Sequence, residues 1–262
     1  MITTKQLSFG YKSGRPVFSG LDLSLPQGSV VGLLGKNGEG KTTLLKNLCG
    51  QLFSKQGEIN VLGFTPRERK VAFLQQVYLL PEEIQVPHVT IRRYFDLYAP
   101  FYPNYDEAIA RELIETFSLD WNMNLGKVSQ GQKKKALIAF ALSLRVPLLL
   151  LDEPTNGLDP LAVVGFRDLL REVTGRGGAV LVTGHHFDEL TRLADRVEVL
   201  HRGRIIDTIV PEEPGRPGGA DLERVFFDAV LAADLTADST ALESGAGPDA
   251  LADTSRERTE VS

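Results

Sequence analysis

The order of apolar and polar positions along the chain predicts strands that alternate with helices. Apolar residues at every second position indicate strands with one buried face at residues 2–10 and 21–25. Continuous apolar runs at residues 30–34 and 148–151 indicate buried parallel strands, and a helical segment follows each of them. Further strand-like runs lie at residues 58–62, 70–74, 179–182, 196–200 and 204–209. The alternation predicts an α/β fold in which helices cover a parallel sheet.

The periodicity changes to that of helices between about residues 90 and 126. Ile109, Leu113 and Phe117 recur at four-residue spacing, which gives one apolar stripe. An aromatic cluster lies just before this stripe and consists of Tyr94, Phe95, Tyr98, Phe101, Tyr102 and Tyr105. We expect the aromatic cluster to form either a small core of its own or a docking surface for a partner.

The last part of the chain differs in composition from the rest. Residues 211–219 hold three prolines and three glycines, which indicates a linker, and residues 221–233 have the pattern of one amphipathic helix. Residues 234–262 contain no aromatic side chain and predict an acidic, disordered tail. The tail carries a net charge of −5, which equals the formal net charge of the whole chain. Residues 1–233 are therefore formally neutral, and we expect no nucleic-acid partner.

Composition and the apolar pattern predict a soluble chain in a reducing compartment. The single cysteine, Cys49, excludes an intrachain disulfide and fits a reducing compartment. The N-terminus has no apolar core of a signal peptide. Arg145 and Pro147 interrupt the longest apolar stretch before it could span a membrane. We therefore expect the chain to be soluble by itself.

A glycine-rich loop between a predicted strand and a predicted helix carries the strongest chemical signal. It matches G-x-x-x-x-G-K-[ST] and consists of Gly35, Lys36, Asn37, Gly38, Glu39, Gly40, Lys41, Thr42 and Thr43. Glycines let successive backbone N–H groups face phosphate oxygens, and the helix N-terminus adds its positive dipole. Lys41 is expected to reach the β- and γ-phosphates of a nucleoside triphosphate, and the Thr42 hydroxyl to ligate Mg²⁺.

Two acidic residues follow the apolar run at 148–151. Because ligands bind at the carboxyl ends of parallel strands, we expect Asp152 and Glu153 to lie beside the phosphate-binding loop. A carboxylate suits Mg²⁺, so Asp152 is the candidate metal ligand. Glu153 is the candidate for orienting or deprotonating the water that attacks the γ-phosphate.

Residues 128–132 lie at the start of a predicted helix and resemble a motif of a known family. Together with the two preceding motifs, they make residues 2 to about 209 similar to the ATP-binding subunit of an ABC transporter. The segment Val128-Ser129-Gln130-Gly131-Gln132 resembles that family's signature, Leu-Ser-Gly-Gly-Gln, and departs from it at Val128 and Gln130. In the family this segment acts on the nucleotide held by the other protomer. The resemblance therefore implies that Ser129, Gly131 and Gln132 contact phosphate in a second subunit.

The resemblance also implies a fold and its subdivision. It predicts a P-loop NTPase core with a parallel sheet, an N-terminal antiparallel β-subdomain and an inserted helical subdomain at about residues 88–145. The nucleotide-binding domain is expected over residues 1–210. A linker and short C-terminal helix at 211–233 and the disordered tail at 234–262 complete the chain.

Four further positions resemble functional residues of the family. Tyr11 resembles the aromatic residue that stacks on adenine, with a packing tyrosine as the alternative. Gln76 resembles the glutamine that senses Mg²⁺ and the attacking water, with Gln75 as the alternative register. His185 resembles the histidine that contacts the γ-phosphate and holds Glu153, with His186 as the alternative. Residues 158–159 resemble the loop that crosses the dimer interface.

These resemblances imply a membrane-associated ATPase that powers transport. The expected partners are polytopic membrane subunits and a second ATP-binding subunit, either a copy or a paralogue. The expected location is the inner face of the cell membrane, with ATP and Mg²⁺ as cofactors. Residues 98–106 and 222–226 resemble bacterial ABC-2-type exporter subunits. The alternatives are a soluble ABC-type ATPase that acts on DNA or ribosomes and a regulatory subunit that binds ATP without hydrolysis.

Overall fold

The chain folds into two β-sheets and seven α-helices over the residues that the structure describes. This computed structural model describes residues 1–12, 16–211 and 230–231. The strands are β1 (Ile2–Phe9), β2 (Phe18–Leu25), β3 (Val30–Leu34), β4 (Gln56–Val61), β5 (Val77–Leu80), β6 (Leu148–Leu151), β7 (Ala179–Gly184), β8 (Arg196–His201) and β9 (Arg204–Ile209). The helices are α1 (Lys41–Leu48), α2 (Val71–Leu74), α3 (Ile91–Tyr98), α4 (Glu107–Thr116), α5 (Gln130–Ser143), α6 (Pro160–Gly175) and α7 (Phe187–Leu193). The predicted linker, C-terminal helix and tail lie almost entirely outside the described residues.

The larger sheet has six strands in the order β5–β6–β7–β3–β8–β9. Every neighbouring pair is parallel except β8 and β9, which are antiparallel. The smaller sheet is antiparallel, with the order β2–β1–β4. The predicted α/β fold with a parallel sheet and an N-terminal antiparallel β-subdomain is therefore confirmed.

Both faces of the larger sheet are buried, as the continuous apolar runs predict. In β6, Leu149 and Leu151 pack into the core on the side of helices α3 to α7. Leu148 and Leu150 pack into a second core, which is shared with α1 and the antiparallel sheet. A strand covered on both faces needs apolar residues at every position, and β6 has four leucines, all of them buried.

Four of the six aromatic residues lie in or against the larger core, so the expectation of a separate small core is wrong. Phe95 is buried and its ring centroid lies 4.9 Å from that of Phe140 on α5. Phe140 lies in the same core as the sheet residues, so the helices are packed directly onto the sheet. Phe101 remains 65% exposed.

The prediction of a strand at residues 70–74 is also wrong. This segment forms the short helix α2, in which the backbone N–H groups of residues 73 to 76 bond to carbonyls three or four positions earlier. Only Phe73 is buried in α2, and Val71 is 70% exposed. The strand lies just beyond, at β5, where residues 77–80 pair in parallel with β6. A run of four apolar residues does not distinguish a helical turn from a strand, because with no polar position in it the run shows neither period.

Candidate functional site

Three adjacent strands place the predicted site residues at one edge of the larger sheet. The phosphate-binding loop follows β3, Asp152 and Glu153 follow β6, and His185 follows β7. Because β6, β7 and β3 are parallel neighbours, their carboxyl ends lie side by side. Segments that are far apart in the sequence therefore meet at this edge.

The phosphate-binding loop depends on glycine where the backbone is left-handed and closely packed. Gly38 and Gly40 have φ angles of 90° and 101°, a region that other residues rarely adopt. A Cβ atom at Gly40 would lie 2.5 Å from Cγ1 of Val17. The loop leads into α1, and the helix N-terminus is thereby directed at the loop.

Lys41 is nearly buried at the start of α1 and lies among oxygen atoms. Its Nζ atom donates to the carbonyl oxygen of Gly35 at 2.6 Å and lies 3.1 Å from Oε1 of Glu153. The ammonium and Oε1 are an ion pair without the alignment of a hydrogen bond. The Lys41 ammonium can exchange this carbonyl oxygen and this carboxylate for phosphate oxygens, which are strong acceptors for a cation.

Thr42, Asp152 and Thr183 form a chain of hydrogen bonds through the buried carboxylate of Asp152. The Thr42 hydroxyl donates to Oδ2 of Asp152 at 2.6 Å, and the Thr183 hydroxyl donates to Oδ1 of the same carboxylate at 2.7 Å. Asp152 is 1% exposed. Thr183 therefore fixes one oxygen of Asp152, while the other oxygen faces Thr42.

This arrangement fits Mg²⁺, which prefers hydroxyl and carboxylate oxygens. The residues that the structure describes contain no group of three or more His, Cys, Asp or Glu side chains that could hold a metal ion alone. Such a site binds the ion together with the phosphates of its substrate, as is usual for Mg²⁺. Thr42 and Asp152 are the two protein ligands that the geometry offers.

Glu153 is the most constrained residue of the site. It is 4% exposed, and its φ of 47° places it in the left-handed region. Its Oε2 atom lies 3.0 Å from Nδ1 of His185, and its backbone N–H donates to the Thr183 hydroxyl at 3.1 Å. Its carbonyl oxygen accepts from Nζ of Lys134 at 3.1 Å. A left-handed residue persists only when its surroundings hold it, and here three side chains do so.

The two neighbouring histidines differ in their contacts. Nδ1 of His185 reaches Glu153, whereas the ring of His186 lies against the ring of His185, with centroids 3.9 Å apart. His185 is therefore the histidine that the fold brings to the carboxylate.

Tyr11 lies at the edge of the site and is 53% exposed. Its hydroxyl is 3.2 Å from Oγ1 of Thr43, and its ring meets Phe9 edge-on with centroids 5.1 Å apart. The contact with Phe9 holds the ring of Tyr11 in place, and the ring remains accessible beside the loop.

The segment resembling the signature begins α5 on an exposed surface. Ser129 accepts from the backbone N–H of Gln132 at 3.2 Å, and Oε1 of Gln132 accepts from the backbone N–H of Ser129 at 3.1 Å. This reciprocal pair is a capping box, which fixes the helix N-terminus. It lies outside the cavity around the phosphate-binding loop of the same chain.

Gly131 packs against the segment that follows Glu153. A Cβ atom at Gly131 would lie 2.8 Å from the carbonyl oxygen of Gly157. On the same surface Lys135 donates to Asp159 at 2.7 Å, and this hydrogen bond lowers the pKa of the Asp159 carboxyl. The start of α5 and residues 155–159 therefore form one packed unit.

The structure contradicts the placement expected for Gln76 and for its alternative, Gln75. Both precede β5, and the carbonyl oxygen of Gln76 accepts from the N–H of Leu148 at the first residue of β6. The site lies at the other end of these strands, about 13 Å further along β5. Gln76 donates to the carbonyl of Ala72 on the neighbouring helix. The prediction fails because it took residues 70–74 for the strand, so that Gln76 would follow it, whereas the strand β5 begins only after Gln76.

Glu82 occupies the place that the sequence analysis assigned to a glutamine. It follows β5 at the edge where the site lies and lines the cavity around the phosphate-binding loop. Its Oε1 atom accepts from Nδ2 of Asn156 at 3.2 Å. The sequence does contain a signal for Glu82. The apolar run at residues 77–80 is followed by Pro-Glu-Glu, just as the apolar run at residues 148–151 is followed by Asp-Glu.

The cavity at this edge has a volume of about 290 Å³. It is lined by Tyr11, Val17, Lys36, Asn37, Gly38, Gly40, Lys41, Thr42, Thr43, Glu82 and Glu153. A larger cavity of about 490 Å³ includes Pro147 and Gly178, which precede β6 and β7 at the opposite edge of the sheet. The smaller cavity is the candidate site, because the phosphate-binding loop and the acidic residue Glu153 both line it.

Comparison with known proteins agrees with this geometry. A family model described as ABC transporter matches residues 18–156. The chain is 30% identical over 223 residues to the lipopolysaccharide export system ATP-binding protein LptB of Haemophilus influenzae, covering 81% of this chain and 92% of that protein.

Solved structures share the same architecture. An ATP-binding subunit of an ABC transporter has a TM-score of 0.74 and 28% identity, with 80% of this chain and 90% of that chain covered. A dimeric ATP-binding cassette in a post-hydrolysis state with ADP and Pi has a TM-score of 0.72 at 21% identity, with coverages of 80% and 98%. The second likeness supports the fold alone.

Proposed function

The chain belongs to the ABC transporter family as an ATP-binding, ATP-hydrolysing subunit, and we propose that ATP-driven closure and reopening of a dimer of such subunits powers export. The single observation that carries the proposed mechanism is the contact of Glu153 with both Lys41 and His185. These contacts place a nearly buried carboxylate at the cavity lined by the phosphate-binding loop.

ATP binding follows from the loop and the residues around it. Backbone N–H groups of residues 35–43 and the N-terminus of α1 bind the triphosphate, and Lys41 exchanges its carbonyl contacts for the β- and γ-phosphates. Tyr11 stacks on the adenine, supported by its exposure and by Phe9 behind it. Thr42 and Asp152 hold Mg²⁺, which when bound neutralises charge that develops on the transferred phosphate.

Hydrolysis requires a positioned water and a base. Glu153 orients the water and accepts its proton, and His185 holds the carboxylate in place through Oε2. Thr183 keeps the backbone of Glu153 and the side chain of Asp152 in register. Each of these residues follows or ends a strand, so the rigid sheet fixes their mutual distances.

A second protomer completes the site. The capping box at Ser129 and Gln132 presents an exposed helix N-terminus, a suitable group for phosphate. It lies outside its own chain's cavity, so it serves the nucleotide of a partner, which is a copy of this chain or a paralogue. Gly131 joins the helix start to residues 155–159, a link through which hydrolysis in one protomer reaches the other.

The partners outside the dimer are polytopic membrane subunits. No helix among the described residues has the length and apolarity needed to cross a bilayer. The relative LptB is named for lipopolysaccharide export, which supports an exporter and a peripheral location on the inner face of the membrane. Cargo selection then belongs to the membrane subunits, which supply the path across the bilayer.

Glu153→Gln tests the mechanism directly. The amide keeps the size of the side chain and removes its ability to accept a proton, so we expect ATP hydrolysis to fall at least about 100-fold. ATP binding is expected to persist, and the variant is expected to accumulate as an ATP-bound dimer in size-exclusion chromatography. Glu83→Gln, next to Glu82, is the matched control and is expected to hydrolyse ATP at the wild-type rate. Full turnover by Glu153→Gln would contradict the role of Glu153.

Purification from membranes tests the partner assignment. We expect a tagged full-length chain to co-purify with a polytopic membrane protein, identified by mass spectrometry. Recovery only with ribosomes or DNA would favour a soluble ATPase of the same family. Recovery of the membrane complex with ATP binding but no hydrolysis would favour a regulatory subunit, the alternative that Gln130 motivates.

A further inference from the structure

Lys134 is a buried cation in the second turn of α5. It is 5% exposed, whereas the flanking Lys133 and Lys135 are only partly buried. A buried ammonium is strongly unfavourable unless its charge and its donors are compensated. Its burial therefore indicates a specific partner in the interior.

The partner is the backbone of Glu153. Nζ of Lys134 donates to the carbonyl oxygen of Glu153 at 3.1 Å, while the Thr183 hydroxyl accepts from the N–H of Glu153. The peptide groups on both sides of this left-handed residue are thus fixed by side chains from α5 and β7. The direction of the Glu153 carboxylate depends on those two peptide groups.

Lys134 also lies in the field of three carboxylates. Burial lowers the pKa of the Lys134 ammonium, and the charges of Glu82, Asp152 and Glu153 oppose that shift. Asp152 receives two hydroxyl donors and Glu153 is paired with Lys41. Glu82 brings an additional negative charge to the cavity that Glu153 also lines. A cation inside the protein reduces the repulsion between these two carboxylates, which would otherwise act on the side chain of Glu153.

We propose that Lys134 is a positioning residue for ATP hydrolysis, holding the backbone of Glu153 and balancing the carboxylate that Glu82 adds to the nucleotide cavity. The inference rests on the proposed function, because it assigns Lys134 a role through Glu153. Lys134 does not line the cavity around the phosphate-binding loop, so it does not contact the nucleotide. Its effect is therefore on kcat and not on the affinity for ATP.

The test is a double-mutant cycle in the full-length chain. Lys134→Met keeps the apolar stem and removes the donor and the charge, and we expect kcat to fall about 30-fold, since a lost hydrogen bond to a charged group is typically worth a factor of ten to a hundred. KM for ATP and the dissociation constant of a fluorescent ATP analogue are expected to change less than about threefold. Adding Glu82→Gln to Lys134→Met is expected to raise kcat about fivefold above that of Lys134→Met, because it removes the unbalanced charge of Glu82. Lys133→Gln, one position earlier on α5, is the matched control and is expected to leave kcat unchanged.

The outcomes separate this inference from the proposed function. Wild-type kcat in Lys134→Met would overturn the inference while ATP hydrolysis by the wild type stands. A double variant no faster than Lys134→Met would overturn the balancing of Glu82. If Lys134→Met does not fold, Lys134→Gln replaces it; its amide can still donate but carries no charge, so a smaller loss of kcat and the same rescue by Glu82→Gln are expected. Absence of hydrolysis by the wild-type complex would contradict the proposed function itself.

Discussion

Thr42 and Asp152 are 110 positions apart in the sequence and are joined by a hydrogen bond of 2.6 Å between Oγ1 and Oδ2. Thr42 belongs to the first turn of α1 and Asp152 follows β6. The phosphate-binding loop and α1 follow β3, and β7 lies between β3 and β6 in the sheet. Thr183 of β7 donates to the other oxygen of Asp152. The two proposed metal ligands and the backbone of Glu153 are therefore joined by one continuous set of hydrogen bonds through Thr183.

Thr42→Ala removes one of the two protein ligands proposed for Mg²⁺. We expect the Mg²⁺ concentration that gives half-maximal ATPase activity to rise about tenfold, which corresponds to about 1.4 kcal/mol. Titration of activity with Mg²⁺ at saturating ATP measures this shift. Thr42→Ser keeps the hydroxyl and is expected to behave as the wild type, so equal shifts in both variants would contradict ligation by the hydroxyl.

Thr183→Val removes a hydroxyl that serves two buried groups. Oδ1 of Asp152 and the N–H of Glu153 each lose a partner, and we expect the free energy of unfolding to fall by about 3 kcal/mol, at about 1–3 kcal/mol for each group. Denaturant unfolding followed by fluorescence measures the change. Thr183→Ser retains the hydroxyl and is expected to lose about 1 kcal/mol or less through its missing methyl group. A valine variant as stable as the serine variant would show that these bonds add nothing to stability.

His185→Ala and His186→Ala distinguish the two registers of the histidine. Of the two histidines only His185 contacts the carboxylate of Glu153, so we expect its removal to lower kcat about 100-fold, as for other groups that assist proton transfer. His186→Ala is expected to keep kcat within about twofold, because its ring contacts only that of His185 among the contacts described. Steady-state ATPase assays compare the two variants. A larger loss in His186→Ala would reverse the assignment.

Gly131→Ala tests the packing between α5 and residues 155–159. The added Cβ would lie 2.8 Å from the carbonyl oxygen of Gly157, a backbone atom that cannot move without the loop. We expect the free energy of unfolding to fall by about 1–3 kcal/mol, as for other overpacked sites. Gly165→Ala on α6 is the matched control, since nothing lies within 4 Å of its added Cβ. It is expected to gain up to about 1 kcal/mol from helix propensity, and equal effects at both positions would contradict close packing at Gly131.

The sequence determined those parts of the site that depend on local backbone geometry. The glycines of residues 35–43, the helix that follows them and the acids after the run of residues 148–151 each specify their own conformation over a few residues. Their meeting also followed from the sequence, because carboxyl ends of neighbouring parallel strands lie at one edge. The parallel sheet was predictable from the alternation of apolar strands with helices, whereas the antiparallel sheet was expected from the family resemblance.

Only the tertiary structure decided which residues reach the site from β5 and α5. Four apolar residues at 71–74 look like a strand, but the pairing with β6 assigns the strand to residues 77–80, so Glu82 and not Gln76 lies at the site edge. Lys134 belongs to a run of three lysines with identical local patterns, and only the packing of α5 buries it against Glu153. The physical reason is the same in both cases: strand register and helix orientation are set by contacts between distant segments, which no local periodicity encodes.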